Sequence, residues 1–230
     1  MPTDAAILYT EREQKMGGLL LLVFLFFIIL LFYRTKYNNG ESRLTNRLIK
    51  NYENSGAKIL NNVYIPYGNN KTTEIDAVMV YRSGIYVFEY KNYSGWIFGN
   101  SKNRYWTETF YSKRFHEVEK HQFYSPVMQN ASHISCLKKY LNDYSIPIYN
   151  IVVFSNNCEF RNLTILDDAE VIYMQNLINT IEKIDRIYLT HCDEISANRI
   201  ISIYNRLLNC TNVSYEIIKK HIDDIRIKYN

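Results

Sequence analysis

Hydrophobic and polar positions follow several different rhythms along this chain. Residues 1–15 show no period and mix apolar with charged side chains, the pattern of a poorly ordered terminus. Gly17 to Tyr33 is apolar without interruption and carries no charge. After the polar linker Tyr37-Asn38-Asn39-Gly40 the chain becomes periodic. Leu44, Leu48, Ile49 and Tyr52 recur at helical spacing and predict an amphipathic helix from Glu41 to about Gly56. Asn62 to Pro66 reads as a first strand stopped by proline, and the polar Tyr67-Gly68-Asn69-Asn70 follows it.

The strongest alternation lies in residues 74–92, where two β-branched and aromatic runs flank Arg82-Ser83-Gly84 and predict a hairpin. Period-2 spacing puts Glu74, Asp76, Val78 and Val80 on one face of the first strand. On the second strand it puts Ile85, Val87, Glu89 and Lys91 on one face and Tyr86, Phe88 and Tyr90 on the other. Trp96 to Gly99 and Tyr105 to Phe110 are two further strands joined at Asn100–Asn103. Residues 112–125 read as polar and irregular, with Lys113, Arg114, His116, Lys120 and His121.

Pro126 opens a helix to about Leu141, proline being tolerated in a first turn. Ile148 to Phe154 is nearly continuous in apolar residues, as a strand covered on both faces would be. Short strands at Leu163–Leu166 and Val171–Tyr173 precede helices at about 174–184, 193–209 and 214–227. This mixture predicts an α/β (α+β) sheet domain covered by helices.

Register decides whether the charged ends of the hairpin meet. A two-residue turn at Arg82-Ser83 sets Asp76 across from Glu89, and one at Ser83-Gly84 sets Asp76 across from Lys91. Both keep all the aliphatic residues on one side, which a three-residue loop would not. Two carboxylates facing across a ladder repel unless positive charge lies between them, and a divalent cation with Lys91 would supply it. The bland alternative is a solvated end of an edge strand.

The apolar run changes the picture of the whole chain. Extended by Met16, it reaches the short end of a membrane span, and it has no polar stripe of the kind a buried core helix shows. A cleaved signal peptide fits poorly: the leader is not net basic, and no small-residue cleavage site follows. The basic residues Arg34, Lys36, Arg43, Arg47 and Lys50 on the C-terminal side predict an outside N-terminus and a cytoplasmic domain. The expected organisation is a short extracytoplasmic segment over 1–15, a transmembrane helix over 16–33 and a linker over 34–40. The sheet domain over 41–154 comes next, and 155–230 completes or extends it.

Charge adds little. The chain has 27 basic and 23 acidic residues; residues 1–15 hold two and three of these, which leaves 25 against 20. That excess is mildly favourable to a polyanion. The cysteines, Cys136, Cys158, Cys192 and Cys210, are far apart with no CxxC, which excludes a zinc ribbon or redox motif and points to small buried hydrophobes in a reducing compartment.

Asp76 followed by Glu89-x-Lys91 has a chemical logic. Two carboxylates can hold Mg²⁺ while leaving positions for water and a phosphate, and the lysine on the same face can orient that water or hold a phosphate oxygen. The pattern alone is weak. More of the chain matches, however, and over residues 40–154 it resembles the nuclease-related domain (NERD), a family placed in the PD-(D/E)xK phosphodiesterase superfamily. Gly40-Glu41 resembles the opening of that family's first helix, Thr73-Glu74-Ile75-Asp76 its first acidic strand, and Gly84 to Asn92 its Glu-x-Lys-Asn strand. Gly95 to Gly99 is similar to the glycine-flanked segment that follows, and Ser125-Pro126-Val127-Met128-Gln129-Asn130 with His133 to its Pro-x-x-Gln-Asn helix start.

The resemblance implies a restriction-endonuclease-like mixed sheet flanked by helices. It implies that Asp76 and Glu89 are metal ligands, Lys91 is the catalytic lysine, Glu41 reaches the metal directly or through water, and Gln129 stands near the lysine. Mg²⁺ (or Mn²⁺) would be the cofactor and nucleic acid, DNA above all, the substrate. Two departures stand out: Glu74 where glutamine is common, and Ser125 where asparagine is, serine still being able to cap the helix. His133 is read as a structural hydrogen-bonding residue, His116 and His121 as solvated, and Trp96, Trp106 and the tyrosines as sheet packing. The expected function is membrane-anchored, Mg²⁺-dependent phosphodiester hydrolysis. The alternative is a non-catalytic module binding nucleic acid or protein at the cytoplasmic face.

Overall fold

The computed structural model describes residues 40–68, 71–112, 116–166 and 169–229. The apolar run at 16–33 lies outside them, and among the described residues no helix is long and apolar enough to cross a membrane. The chain divides into two compact units, Met1–Arg43 and Leu44–Asn230. Of the first, only the start of helix α1 (Gly40–Tyr52) is described, with Glu41 in its first turn.

The second unit contains two mixed sheets, where one was expected. The first has five strands in the order β1-β2-β3-β7-β9: β1 (Lys58–Tyr67), β2 (Lys71–Tyr81), β3 (Gly84–Lys91), β7 (Ile148–Phe154) and β9 (Ala169–Tyr173). The second has four in the order β6-β5-β4-β8: β4 (Gly95–Asn100), β5 (Tyr105–Ser112), β6 (Glu117–Tyr124) and β8 (Cys158–Thr164). β3, β7 and β9 are parallel and β1, β2 and β3 antiparallel. Helix α2 (Pro126–Leu141) precedes β7, and α3 (Leu177–His191), α4 (Ala197–Leu208) and α5 (Tyr215–Tyr229) close the chain.

The first sheet is covered on both faces, so its central strands can be apolar on both. On one side Val78, Val80, Ile85 and Val87 pack against Ile134 and Leu137 of α2 and Ile203 and Leu207 of α4. On the other, Met79, Tyr86 and Phe88 pack against Leu44 and Leu48 of α1 and Leu177 and Ile181 of α3. Ile49, counted in the helical repeat, is 37% exposed and stands off that face. The second sheet packs through Ile97, Trp106 and Phe123 against Val152 and Phe154, with the Trp106 and Phe154 rings parallel at 6.3 Å.

Three expectations need correction. Residues 117–124 form strand β6, paired along its length with β5, rather than an irregular segment. It is an edge strand whose charged side chains hide the alternation and also protect the edge from pairing with other chains. Pro66 lies within β1, which is tolerable because β1 is itself an edge. Trp96 is 49% exposed, so of the two tryptophans only Trp106 packs the core.

Candidate functional site

The hairpin register is the first of the two that the alternation left open. Val78 pairs with Val87 and Val80 with Ile85, so the turn is Arg82-Ser83. Gly84 follows with φ of 144°, and a Cβ there would stand 2.6 Å from the Pro147 carbonyl oxygen. Glycine is therefore required both by backbone conformation and by the close approach of the chain entering β7.

The regular pleat of β2 breaks at Asp76. Val78 and Val80 share a core cluster with Ile75, while Ala77 and Met79 belong to the opposite one, so the alternation inverts across Asp76. β1 inverts at the matching place: its ladder with β2 skips Asn62, whose φ is 50°, and Leu60, Val63 and Ile65 all face the same cluster. The pairing of β2 with β3 ends at Ala77–Phe88. Beyond that point the Asp76 carboxylate takes the place of a strand partner: its Oδ2 accepts the Tyr90 N–H at 2.7 Å. β2 parts from β3 here, and the gap is the mouth of a cavity of about 610 Å³. Glu74, expected on one face with Asp76, Val78 and Val80, lines the same cavity as Asp76 and accepts a hydrogen bond from the Tyr64 hydroxyl at 2.8 Å, while Ile75 takes the core side with Val78 and Val80.

Glu89 and Lys91 form a closed pair. Lys91 Nζ is 2.7 Å from Glu89 Oε1 and donates to Gln129 Oε1 at 3.1 Å. Glu89 is only 2% exposed and stands behind Lys91 and His133, whereas Asp76, Lys91 and Gln129 line the cavity. Burial pushes the Glu89 carboxyl up, but the His133 imidazole and the Lys91 ammonium outweigh it and hold the group below the ordinary carboxylate value. Burial likewise lowers Lys91, and the Glu89 charge more than restores it, leaving the ammonium above its ordinary value. At neutral pH the pair is charged on both sides.

Helix α2 supplies the other wall, and its position is fixed at its first turns. Ser125 caps it, its hydroxyl accepting from Met128 N at 3.4 Å. Asn130 is fully buried and donates to the Val87 carbonyl and to Asn150 Oδ1, both at 2.8 Å, which ties the helix to β3 and β7 together. Its neighbours one residue before and three after, Gln129 and His133, then meet the Lys91–Glu89 pair. His133 Nδ1 lies 2.6 Å from the Thr73 hydroxyl, and its Nε2 approaches Glu89 Oε2 at 3.3 Å. That approach is off the hydrogen-bonding direction, so both buried atoms lack a proper partner. His133 is thus held by a structural hydrogen bond, as expected, and also lines the cavity.

The far rim comes from α5. His221 is 8% exposed; its Nδ1 stands 2.9 Å from the Thr72 carbonyl oxygen and its Nε2 3.7 Å from Glu74 Oε2. Thr73, Asn130 and His221 carry no assigned role in the sequence reading. The first two lie inside motif blocks, whereas nothing in the spacing of α5 marks His221. Glu41 belongs to the other unit. His116 and His121 are exposed, as expected, but His121 stands on strand β6 rather than in a loop.

Among the described residues no group of three or more His, Cys, Asp or Glu side chains is gathered as a metal centre. Two carboxylates are nonetheless enough for Mg²⁺, which keeps several waters and takes the rest of its ligands from substrate phosphate. The buried, unsatisfied Oε2 of Glu89 is the kind of atom such an ion would satisfy, so the residues present fit the group.

The site thus joins an acidic residue at a strand break, a buried Glu-Lys pair and a glutamine that accepts from the lysine. The profile of the nuclease-related domain matches residues 36–155, and the chain belongs to that family. An uncharacterized protein of Bacillus anthracis is 28% identical over 190 residues, covering 81% of this chain and 82% of its own length. No solved structure matches the chain.

Proposed function

We propose that the protein is a membrane-anchored phosphodiesterase of the PD-(D/E)xK type that hydrolyses nucleic acid, DNA above all, with Mg²⁺ or Mn²⁺. The observation that carries this is the meeting of Asp76, Lys91 and Gln129 in the lining of one cavity, with Glu89 paired to Lys91 behind it. Asp76 and Glu89 would hold the ion. The ion, when bound, lowers the pKa of a water and offsets charge developing on phosphorus.

The chain's own groups do the rest. Tyr90 N–H fixes one Asp76 oxygen and leaves the carboxylate aimed from the strand break. Lys91, held charged by Glu89, cannot take a proton from water at neutral pH; it acts as a fixed cation that orients the attacking water or a phosphate oxygen. Gln129 restricts the ammonium to that position. In the reaction one water adds across a P–O bond: its oxygen joins phosphorus, the bond to the sugar oxygen breaks, and the proton ends on the leaving oxygen.

A non-catalytic binding module is the second reading. It is favoured by the Glu89–Lys91 pair, which is closed without any metal. Titrating Mg²⁺ or Mn²⁺ while following Tm separates the two. The catalytic reading expects roughly 2.7 kcal/mol of stabilisation at a hundredfold excess over Kd, abolished in Asp76→Asn, and metal-dependent cleavage of DNA that the same change removes. A folded protein with no shift and no cleavage, even with a short oligonucleotide present, leaves only the binding module.

The anchor rests on the uncharged run at 16–33 and the basic residues after it. The chain should sediment with membranes and be released when 16–33 is deleted, and protease added outside intact cells should spare the domain. Sedimentation unchanged by the deletion removes the anchor from the proposal.

A further inference from the structure

The outer face of the second sheet is unlike an ordinary protein surface. Trp96 and Tyr105 are about half exposed, at 49% and 50%, on adjacent strands. Register places their neighbours. Trp96 pairs with Thr109, and Thr109 with Lys120, so these three form one row across the face. Four residues along β5, Tyr105 pairs with Tyr124, and their rings meet edge to face at 6.4 Å. The two rows lie about 14 Å apart. A guanidinium lies over each of these two rings: Arg161 over Trp96 at 5.3 Å and Arg104 over Tyr105 at 5.6 Å. Tyr124 also lines the cavity that holds Asp76 and Lys91, so the face and the cavity share this residue.

We propose that this face is a track for single-stranded nucleic acid leading into the cavity. The proposal rests on the reading of the cavity as a nucleic-acid site and names the form of its substrate. Flat rings interleaved with cations suit bases and phosphates, since every base presents a π-face and a strand presents a phosphate beside it. A duplex hides its base faces in the stack and cannot use Trp96 or Tyr105 in this way. One carboxylate opposes the strand: Glu159 holds Arg161 at 2.8 Å. Such an exposed pair is weak, and a phosphate would displace it.

The chain carries its own probe. Of its two tryptophans, Trp106 is 1% exposed and Trp96 is open to solvent. The experiment uses the full-length Asp76→Asn chain in detergent with a chelator present, so that binding is read without cleavage. An oligothymidylate of about 12 nucleotides, within the usual range of single-strand sites, should quench tryptophan emission. The quench should persist in Trp106→Phe. With a labelled oligonucleotide, Trp96→Ala should weaken binding by about five- to 150-fold, the range for one stacked base. Glu159→Gln should tighten it, an outcome that misfolding does not produce.

Affinity unchanged in both variants overturns the track, as does equal affinity for a blunt duplex of the same length. The catalytic reading is scored separately, by hydrolysis of the p-nitrophenyl ester of thymidine monophosphate by the unsubstituted chain. That substrate is too short to reach the sheet. Hydrolysis without Trp96-dependent binding sinks the track and spares the catalytic reading; Trp96-dependent binding without hydrolysis does the reverse.

Discussion

Lys91 and Glu89 stabilise each other at a place where neither could stand alone. Removing one partner of a buried pair leaves an uncompensated charge, which costs about 3–5 kcal/mol. Lys91→Met should therefore lower Tm as well as remove turnover, and Glu89→Gln added to it should recover much of the stability and none of the activity. Chemical denaturation of the single and double variants reads this directly, and a double variant no more stable than the single one would refute it. The pH dependence follows from the same pair. Glu89 titrates lower folded than unfolded, so its contribution is fully present above about pH 4.3 and is lost as pH falls through the folded value. Lys91 titrates higher folded than unfolded, so its contribution is present below about pH 10.4 and lost as pH rises through the folded value. In Glu89→Gln/Lys91→Met both limbs of the stability profile should flatten.

At the scale of elements, the sequence was most legible where one rule decided the outcome. The hairpin was, because only an even loop keeps Val78, Val80, Ile85 and Val87 on one side, and the structure adopts one of the two registers that allow it. Helix α2 was, because a serine able to cap and Pro126 in the first turn agree. Legibility failed where two rules compete. β6 carries charge on an edge, so its polar composition masks a strand whose one core side chain is Phe123, near its end. The inversion at Asp76 could not be seen, because period-2 counting assumes an unbroken pleat and places Glu74 where Ile75 is found. The same break is what frees the Asp76 carboxylate to cap Tyr90 N–H and opens the cavity. Local irregularity and chemistry thus coincide, as they often do where backbone departs from regular structure. Asn130 and Thr73 stood within motif blocks, but their work of tying α2 to the sheet is a matter of three-dimensional contact.

At the scale of the molecule, the family match and the folding unit differ in extent. The match ends at 155, yet β8 at 158–164 pairs with β4 and β9 at 169–173 pairs with β7. Ile200, Ile203 and Leu207 of α4 fill the same cluster as Val78 and Val87, and Leu177 and Ile181 of α3 fill the one opposite. Main-chain bonds fasten the later segment to the hairpin and first strand: Ile195 N donates to the Arg82 carbonyl at 2.7 Å and Tyr64 N to that of Cys210 at 2.8 Å. A fragment limited to 36–155 would leave β4 and β7 as bare edges and uncover apolar surface on both faces of the first sheet, the conditions for aggregation. It should show no cooperative unfolding in denaturant when followed by the emission of Trp106, which in the whole chain is buried against Phe154. The whole chain should unfold in a single sharp transition of its sheet domain, and its slope should reflect the added buried surface. A sharp transition in the shorter fragment would instead make residues 156–230 an appendage. The distinction bears on every assay of the site, because a fragment cut at the family boundary would lose activity through collapse of the strands that hold Asp76 and Lys91, whatever the chemistry of those residues.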